Sequence, residues 1–296
     1  MAFPRAGDGV SAADAMSVGV PWLAGPHAEE IFTDAREVSA RAGVALAESG
    51  DLLLGFGAVD LAGRDLAAAA GELYARVLEA ARGLHLYRVW NYVPAINAAT
   101  AGLENYRAFC RGRSLAFETD FGTGFQRQLP AASAVGTDAE RLSVLFVAGG
   151  GQPRHIENPE QVPAYLYPPE HGPRSPSFAR ATVVAQPAGE WVFISGTAAI
   201  KGHVTIAPDE LDEQLTCTFD NLRIIGRAAG LGAELGKGEG AQRHFKVYLR
   251  RAGDLAAAQR RIEAELVTPD DRVIYVRSDI CRAALAVEIE VTLVPR

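Results

Sequence analysis

The C-terminal run Arg277-Ser278-Asp279-Ile280-Cys281-Arg282-Ala283-Ala284-Leu285-Ala286-Val287-Glu288-Ile289-Glu290 gathers a cation, a thiol and two carboxylates in one short stretch. It reads as two short strands, with Arg277 opening the first and acids on the second. On the second strand Leu285, Val287, Ile289 and Val291 face one way, and Ala286, Glu288 and Glu290 the other. Small alanines beside Glu288 leave room for a ligand to reach its carboxyl group. An Arg and a Glu on neighbouring strands can serve one anionic ligand: the Arg pairs a carboxylate and the Glu moves protons. Partial burial between Val287 and Ile289 would raise the Glu288 pKa, as a general acid near neutral pH requires. Glu290 either couples to Glu288 or is a solvated strand residue. The same spacing also fits charged residues on a sheet face that meets water.

These strands belong to a pattern that occurs twice. In the first half, Leu52–Gly57 reads as a strand ending in glycines. A helix follows over about 65–81, with Leu66, Leu73, Tyr74, Val77 and Leu78 on one stripe. Leu86–Val93 is a strand ended by Pro94, 101–117 is a second helix, and Leu142–Val147 is a last strand before Gly149-Gly150-Gly151. The second half repeats the order: strand 191–198, helix 209–229 with Leu211, Leu215, Phe219, Leu222 and Ile225 inward, strand 245–250, helix 252–266, and strands 273–276 and 285–294. The fold class is therefore α+β, each half a mixed sheet with helices packed on one face. The expected organisation is a loosely ordered leader over 1–27, a first domain over 28–150, a Pro-rich linker over 151–177 and a second domain over 178–296.

Composition narrows the function. The 296 residues are 48% hydrophobic and 22% charged, ordinary for a globular chain, and the net charge is −7. No basic stripe with interleaved aromatics occurs, so nucleic acid is not an expected partner. No run of about 20 apolar residues exists, so no membrane span is expected, and Met1–Met16 lacks an apolar signal core. Cys110, Cys217 and Cys281 are odd in number, far apart and without metal spacing, which points to a reducing, cytoplasmic setting. Cys110 and Cys217 sit on apolar helix faces and read as core. The six histidines show no pairing at metal spacing, so neither metal nor organic cofactor is expected. Gly149-Gly150-Gly151 reads as a hinge, not a nucleotide loop.

Ile194-Ser195-Gly196-Thr197, the long helix after it, Lys246-Val247-Tyr248 and the Arg277…Glu288-Ile289-Glu290 ending together resemble the RidA/YjgF family. That resemblance implies that Arg277 binds a substrate carboxylate and Glu288 handles a water or proton. The front half adds Trp90-Asn91-Tyr92-Val93-Pro94-Ala95-Ile96-Asn97 and Glu104-Asn105-Tyr106-Arg107-Ala108-Phe109-Cys110-Arg111-Gly112-Arg113. From about residue 28 onward, the chain resembles a chorismatase with two RidA-like (chorismate-mutase-like) halves.

The resemblance implies that chorismate is the substrate and pyruvate one product. It also implies that hydrolytic members carry Ala where Gly196 stands and lack a Cys seven residues before the Glu. Gly196 and Cys281 thus point to the 3-hydroxybenzoate type, with Cys281 acting through its shape and weakly polar thiol. Gly196 can instead be a turn glycine needing positive φ, and Cys281 a small buried hydrophobe. Thr197 of the same turn and Tyr106 join the implied substrate-binding residues. Chorismate has two carboxylates, so Arg107 or Arg113 is expected at the second. Each also fits a surface helical Arg. In the linker, Tyr165, with Tyr167 beside it, is a candidate phenol donor to a carboxylate or the enolpyruvyl oxygen. The alternatives are a hydrolase giving a dihydroxycyclohexadiene carboxylate, a mixed 3-/4-hydroxybenzoate producer, an imine deaminase, and a non-catalytic carboxylate-binding module. The assembly is a monomer or a homotrimer.

Overall fold

The computed structural model describes residues 18–296 apart from residue 239. The first half contains β1 (Val44–Ser49), β2 (Leu52–Asp60), α1 (Leu66–Ala80), β3 (His85–Pro94), α2 (Asn105–Phe121), β4 (Ala131–Thr137) and β5 (Arg141–Gly149). The second contains β6 (Ala181–Gln186), β7 (Gly189–Thr197), α3 (Leu211–Ala229), β8 (Ala241–Leu249), α4 (Leu255–Glu265), β9 (Arg272–Arg277) and β10 (Val287–Pro295). Apart from added edge strands, Arg36–Arg41 beside β1 among them, the sheets run β1-β2-β5-β3-β4 and β6-β7-β10-β8-β9, so corresponding strands occupy corresponding places. In each, the third and fourth strands in chain order pair in parallel and the other neighbours are antiparallel. The internal repeat is thus a repeat of topology.

Each sheet buries one face under its own two helices. Leu73, Tyr74 and Val77 of α1 meet Phe109 and Phe117 of α2 over the first sheet, and Leu215, Phe219 and Ile262 cover the second. The other faces pack against each other, with Phe56, Trp90, Tyr92 and Val135 meeting Phe193, Tyr248, Ile274 and Val276. The order of layers is helix, sheet, sheet, helix. On β10, Val287, Ile289, Val291 and Leu293 point to the helices, which sends Glu288 and Glu290 between the sheets.

Several boundaries differ for identifiable reasons. α2 begins at Asn105 rather than 101, because Ala101 and Gly102 both have positive φ and turn a hairpin between Ala99–Thr100 and Leu103–Glu104. β2 continues through its glycines: a side chain at Gly55 would overlap the Phe146 ring, so this glycine admits an aromatic and ends nothing. β1, β4 and β6 were not expected; β4 reads Ala-Ala-Ser-Ala-Val and is buried on both faces, which erases alternation. Of the expected leader, residues 1–17 lie outside the described residues, while residues 18–24 are part of the fold. Val18 and Val20 are fully buried, and Trp22–Ala24 pairs with β9. The linker also adds an edge strand, Arg154–Ile156, on β6. Among the described residues, no helix is long and apolar enough to cross a membrane.

The crossing of α1 and α2 rests on Gly112, where a Cβ would overlap the Ala67 carbonyl oxygen and lie 2.9 Å from its carbon. Gly112→Ala must push the helices apart. The expected destabilisation is about 1–3 kcal/mol, read as a lower urea midpoint.

Candidate active site

A cavity of about 270 Å³ opens at one end of the sheet pair. Its floor is Glu288 of β10 with Gly196 and Thr197 at the end of β7. Its walls come from the start of α2 (Glu104, Tyr106, Arg107), the linker (Gln161, Tyr167, His171) and the loop carrying Cys281 and Arg282. Both halves therefore supply walls.

Glu288 is 3% exposed, and no protein group hydrogen-bonds its Oε1 among the described residues. Burial, reinforced by the charge of Glu290, pushes its carboxyl up to about 8. A Cβ at residue 196 would overlap Glu288 Oε1 and lie 2.6 Å from its Cδ. Gly196 lies within a strand and not at positive φ, so the glycine is required by the carboxyl group resting on it. Ser195 joins the halves: its hydroxyl donates to the Ala179 carbonyl (2.6 Å) and accepts from the Ala132 N–H (2.8 Å).

Glu290 is not solvated. It accepts from Arg88 (2.6 Å), Trp90 Nε1 (2.6 Å), Ser133 Oγ (2.8 Å) and Tyr248 (3.1 Å), and pairs with Lys246 at 2.9 Å. Lys246 also meets Glu29 at 2.6 Å. Although burial opposes ionisation, Lys246 and Arg88 hold Glu290 down at about 2. The two acids of one strand face are thereby driven apart, Glu288 toward the neutral acid and Glu290 toward the carboxylate.

The loop before β10 is fixed from behind. Arg250 donates to the carbonyls of Leu285 (2.7 Å) and Arg282 (2.9 Å), to Asn97 (3.0 Å) and to Asp279 (2.9 Å). Asn97 in turn donates to the Ile280 carbonyl (3.0 Å). Burial, with a further contribution from Glu288, pushes the Cys281 thiol up to about 12, so it is not a thiolate nucleophile.

Glu288, Cys281, Gly196, Thr197, Tyr106 and Arg107 share the cavity. Arg277, Arg113 and Tyr165 do not line it. The alternation of β9 puts Arg277 in step with Val273 and Tyr275, off the face carrying Glu288, and its guanidinium meets Asp138 at 3.1 Å. Arg113 is 2% exposed within the first helical core, over the rings of Tyr74 and Phe117. Tyr165 packs against that same core, while Tyr167 reaches the cavity. The arginines in their place are Arg180 and Arg282. Arg180 is 5% exposed and donates to Tyr167 Oη at 2.8 Å; its charge acts on both Glu288 and Cys281. Arg282 donates to the His203 carbonyl at 2.9 Å. Arg180 follows linker residues and Arg282 sits in a loop, so periodicity carried no signal for either. Three lining arginines against Glu104 and a protonated Glu288 make the cavity cationic, suited to a small ligand with two carboxylates. The histidines also differ from expectation, since His171 and His203, 32 residues apart in sequence, meet in space.

Comparison with known proteins identifies the family. The chain is 39% identical over 281 residues to a 3-hydroxybenzoate synthase of Streptomyces hygroscopicus, covering 90% of this chain and 81% of that one. It belongs to the chorismatase family. A chorismatase from the same organism is 38% identical over 261 residues, covering 84% of this chain and 73% of that one. Residues 30–148 match the family model for the N-terminal part of FkbO/Hyg5-like chorismatases. A chorismatase crystal structure superposes with a TM-score of 0.78 at 34% identity, covering 88% of this chain and 80% of that one. The chain is thus an enzyme with a small-molecule substrate, built on the α+β architecture of that family.

Gly196→Ala should displace the Glu288 carboxyl group from its buried seat. The expected result is a lower apparent pKa in the pH–rate profile of this chorismatase than in the wild type. An unchanged profile would mean that the carboxyl does not rest on Gly196.

Proposed function

We propose that this chorismatase converts chorismate to 3-hydroxybenzoate and pyruvate, with Glu288 as the general acid. The observation that carries the reading is the buried Glu288 carboxyl, its pKa pushed up to about 8 by burial, on the floor of a cavity lined by arginines. The 39% identity to a 3-hydroxybenzoate synthase supports the product.

Glu288 delivers its proton to the methylene carbon of the enolpyruvyl group. The oxocarbenium ion that forms pulls electrons from the ether bond to the ring. That bond breaks, its electron pair becomes the carbonyl of pyruvate, and the neighbouring ring hydroxyl attacks the ring carbon as pyruvate leaves, giving its proton to the Glu288 carboxylate. The resulting arene-oxide-like species rearomatises to its phenol isomer with no net gain or loss of protons. No water is consumed, whereas the hydrolytic outcome adds one. Arg180, beside Glu288, pairs the enolpyruvyl carboxylate. Arg107 and Arg282, at the rim, take the ring carboxylate. Cys281 shapes the wall facing the ring as a neutral thiol. Chromatography of the products against standards tests the reading: 3-hydroxybenzoate with equimolar pyruvate is expected, and a dominant diol would overturn the product assignment.

Glu288→Gln keeps the shape but has no proton to give, so kcat should fall by about 10²- to 10⁴-fold; near-normal turnover would place the acid elsewhere. Because Glu288 acts in its protonated form, activity should persist on the acid side of about pH 8 and be lost as pH rises through it. Arg180→Ala or Arg282→Ala should raise KM for chorismate strongly. Arg277→Ala should change it little, because Arg277 faces Asp138 and not the cavity. Steady-state kinetics of the three variants separates the assignments.

A further inference from the structure

We propose that Glu170, His171 and His203 form a divalent transition-metal site that clips the linker to a hairpin at the cavity rim. His171 Nε2 lies 2.9 Å from His203 Nδ1, and Glu170 Oε1 lies 3.6 Å from each. The three ligand atoms converge within 4.8 Å of one another. The imidazole rings are nearly perpendicular, at 79°, and not stacked, so their nitrogens and not their faces approach.

These positions come from separate segments, each independently held. Glu170 and His171 sit on the single turn Pro169–His171 of the linker. His203 sits at the tip of the hairpin Ile200–Lys201/Val204–Thr205. That tip is tied down by a Val162 N–H to Gly202 carbonyl bond of 3.0 Å, a Gly202 N–H to Glu160 carbonyl bond of 3.1 Å, and the Arg282 bond to the His203 carbonyl. The Tyr167 ring packs against both imidazoles. The two nitrogens are therefore held by backbone anchoring and by an aromatic wall at hydrogen-bond distance, a few tenths of an ångström closer than on one tetrahedral metal. A hydrogen bond shares one proton between the two facing nitrogens; on metal binding that proton moves to the other nitrogen of its own ring, both facing nitrogens ligate, and the Glu170 carboxylate becomes a third ligand.

Two nitrogens and one carboxylate oxygen suit Zn²⁺, Co²⁺ or Ni²⁺ better than the oxygen-seeking Ca²⁺ or Mg²⁺. Three protein ligands leave a coordination position open. Arg107 and Arg282 act on His171 and oppose a cation, so the site binds less tightly than a closed four-ligand centre. Its consequence is mechanical. His171 and Arg282 both line the cavity, and Arg282 hangs from the residue a metal would grip. Occupation would tighten the rim without entering the chemistry at Glu288.

The test uses metal alone and so stands apart from the chorismate reading. Zn²⁺ is titrated calorimetrically into the chelator-treated full-length chain at pH 7.5. One equivalent should bind, and the thermal midpoint should rise by several degrees. Co²⁺ should show the visible absorption of a His-ligated site. His203→Asn should abolish saturable binding and the thermal shift, and Glu170→Gln should weaken both severalfold; circular dichroism checks that each variant is folded. A wild-type chain that binds no Zn²⁺, or a His203→Asn variant that binds as tightly as wild type, would overturn the proposal.

Discussion

The buried carboxylate of Glu290, held between two β-sheets by Arg88 and Lys246, is the interaction on which the site depends. Arg88 and Trp90 come from the first half, and Lys246, Tyr248 and Glu290 from the second, so the cluster also fastens the halves together. With Glu29 on Lys246, the cluster holds two cations and two anions. Such a group is costly to desolvate and depends on every member. Deleting one partner leaves an uncompensated buried charge, at about 3–5 kcal/mol. It is weak evidence for stability as such, and better understood as fixing the register of the sheets and the local potential. Glu288, two residues along the same strand face, would bring a third anion to a balanced cluster. Both burial and that balance favour the neutral acid.

The Ile194-Ser195-Gly196-Thr197 segment shows how one short sequence serves packing and chemistry together. Ile194 belongs to the helical core, and Ser195 bridges the halves through two backbone partners. Gly196 yields its side-chain volume to the Glu288 carboxyl, and Thr197 closes the strand with its hydroxyl on the Ser195 carbonyl. A methyl group at residue 196 therefore acts first on the acid, and only through it on the ring or on water. The loop 279–286 is positioned in the same indirect manner, by Arg250 and Asn97 from opposite halves.

The repeat, the α+β class and the acid on β10 were legible in the sequence because each writes a local pattern. α1 and α3 carry apolar stripes, and Val287, Ile289 and Val291 alternate with the acids. Strands buried on both faces, such as β4, lose that alternation and were not legible. The Arg277 expectation failed for a comparable reason: order along the chain gave its proximity to Glu288 but not the parity of its strand, which sends it toward Asp138. Arg180, Arg282 and Tyr167 lie in irregular segments whose direction only tertiary packing sets. The fate of Glu290 turned on what covers the second face of the sheet. A second sheet covers it, and no single-strand pattern encodes that pairing.

The protonation state of Glu288 in the resting enzyme is the central claim, and it is accessible directly. Infrared difference spectra between wild type and Glu288→Gln isolate the carbonyl stretch of this one carboxylic acid as pH is raised from 5 to 10. The account predicts a protonated-acid band at pH 7 that disappears with a midpoint near 8. A Glu288 already ionised at pH 6, with only carboxylate bands in the difference spectrum, would contradict it.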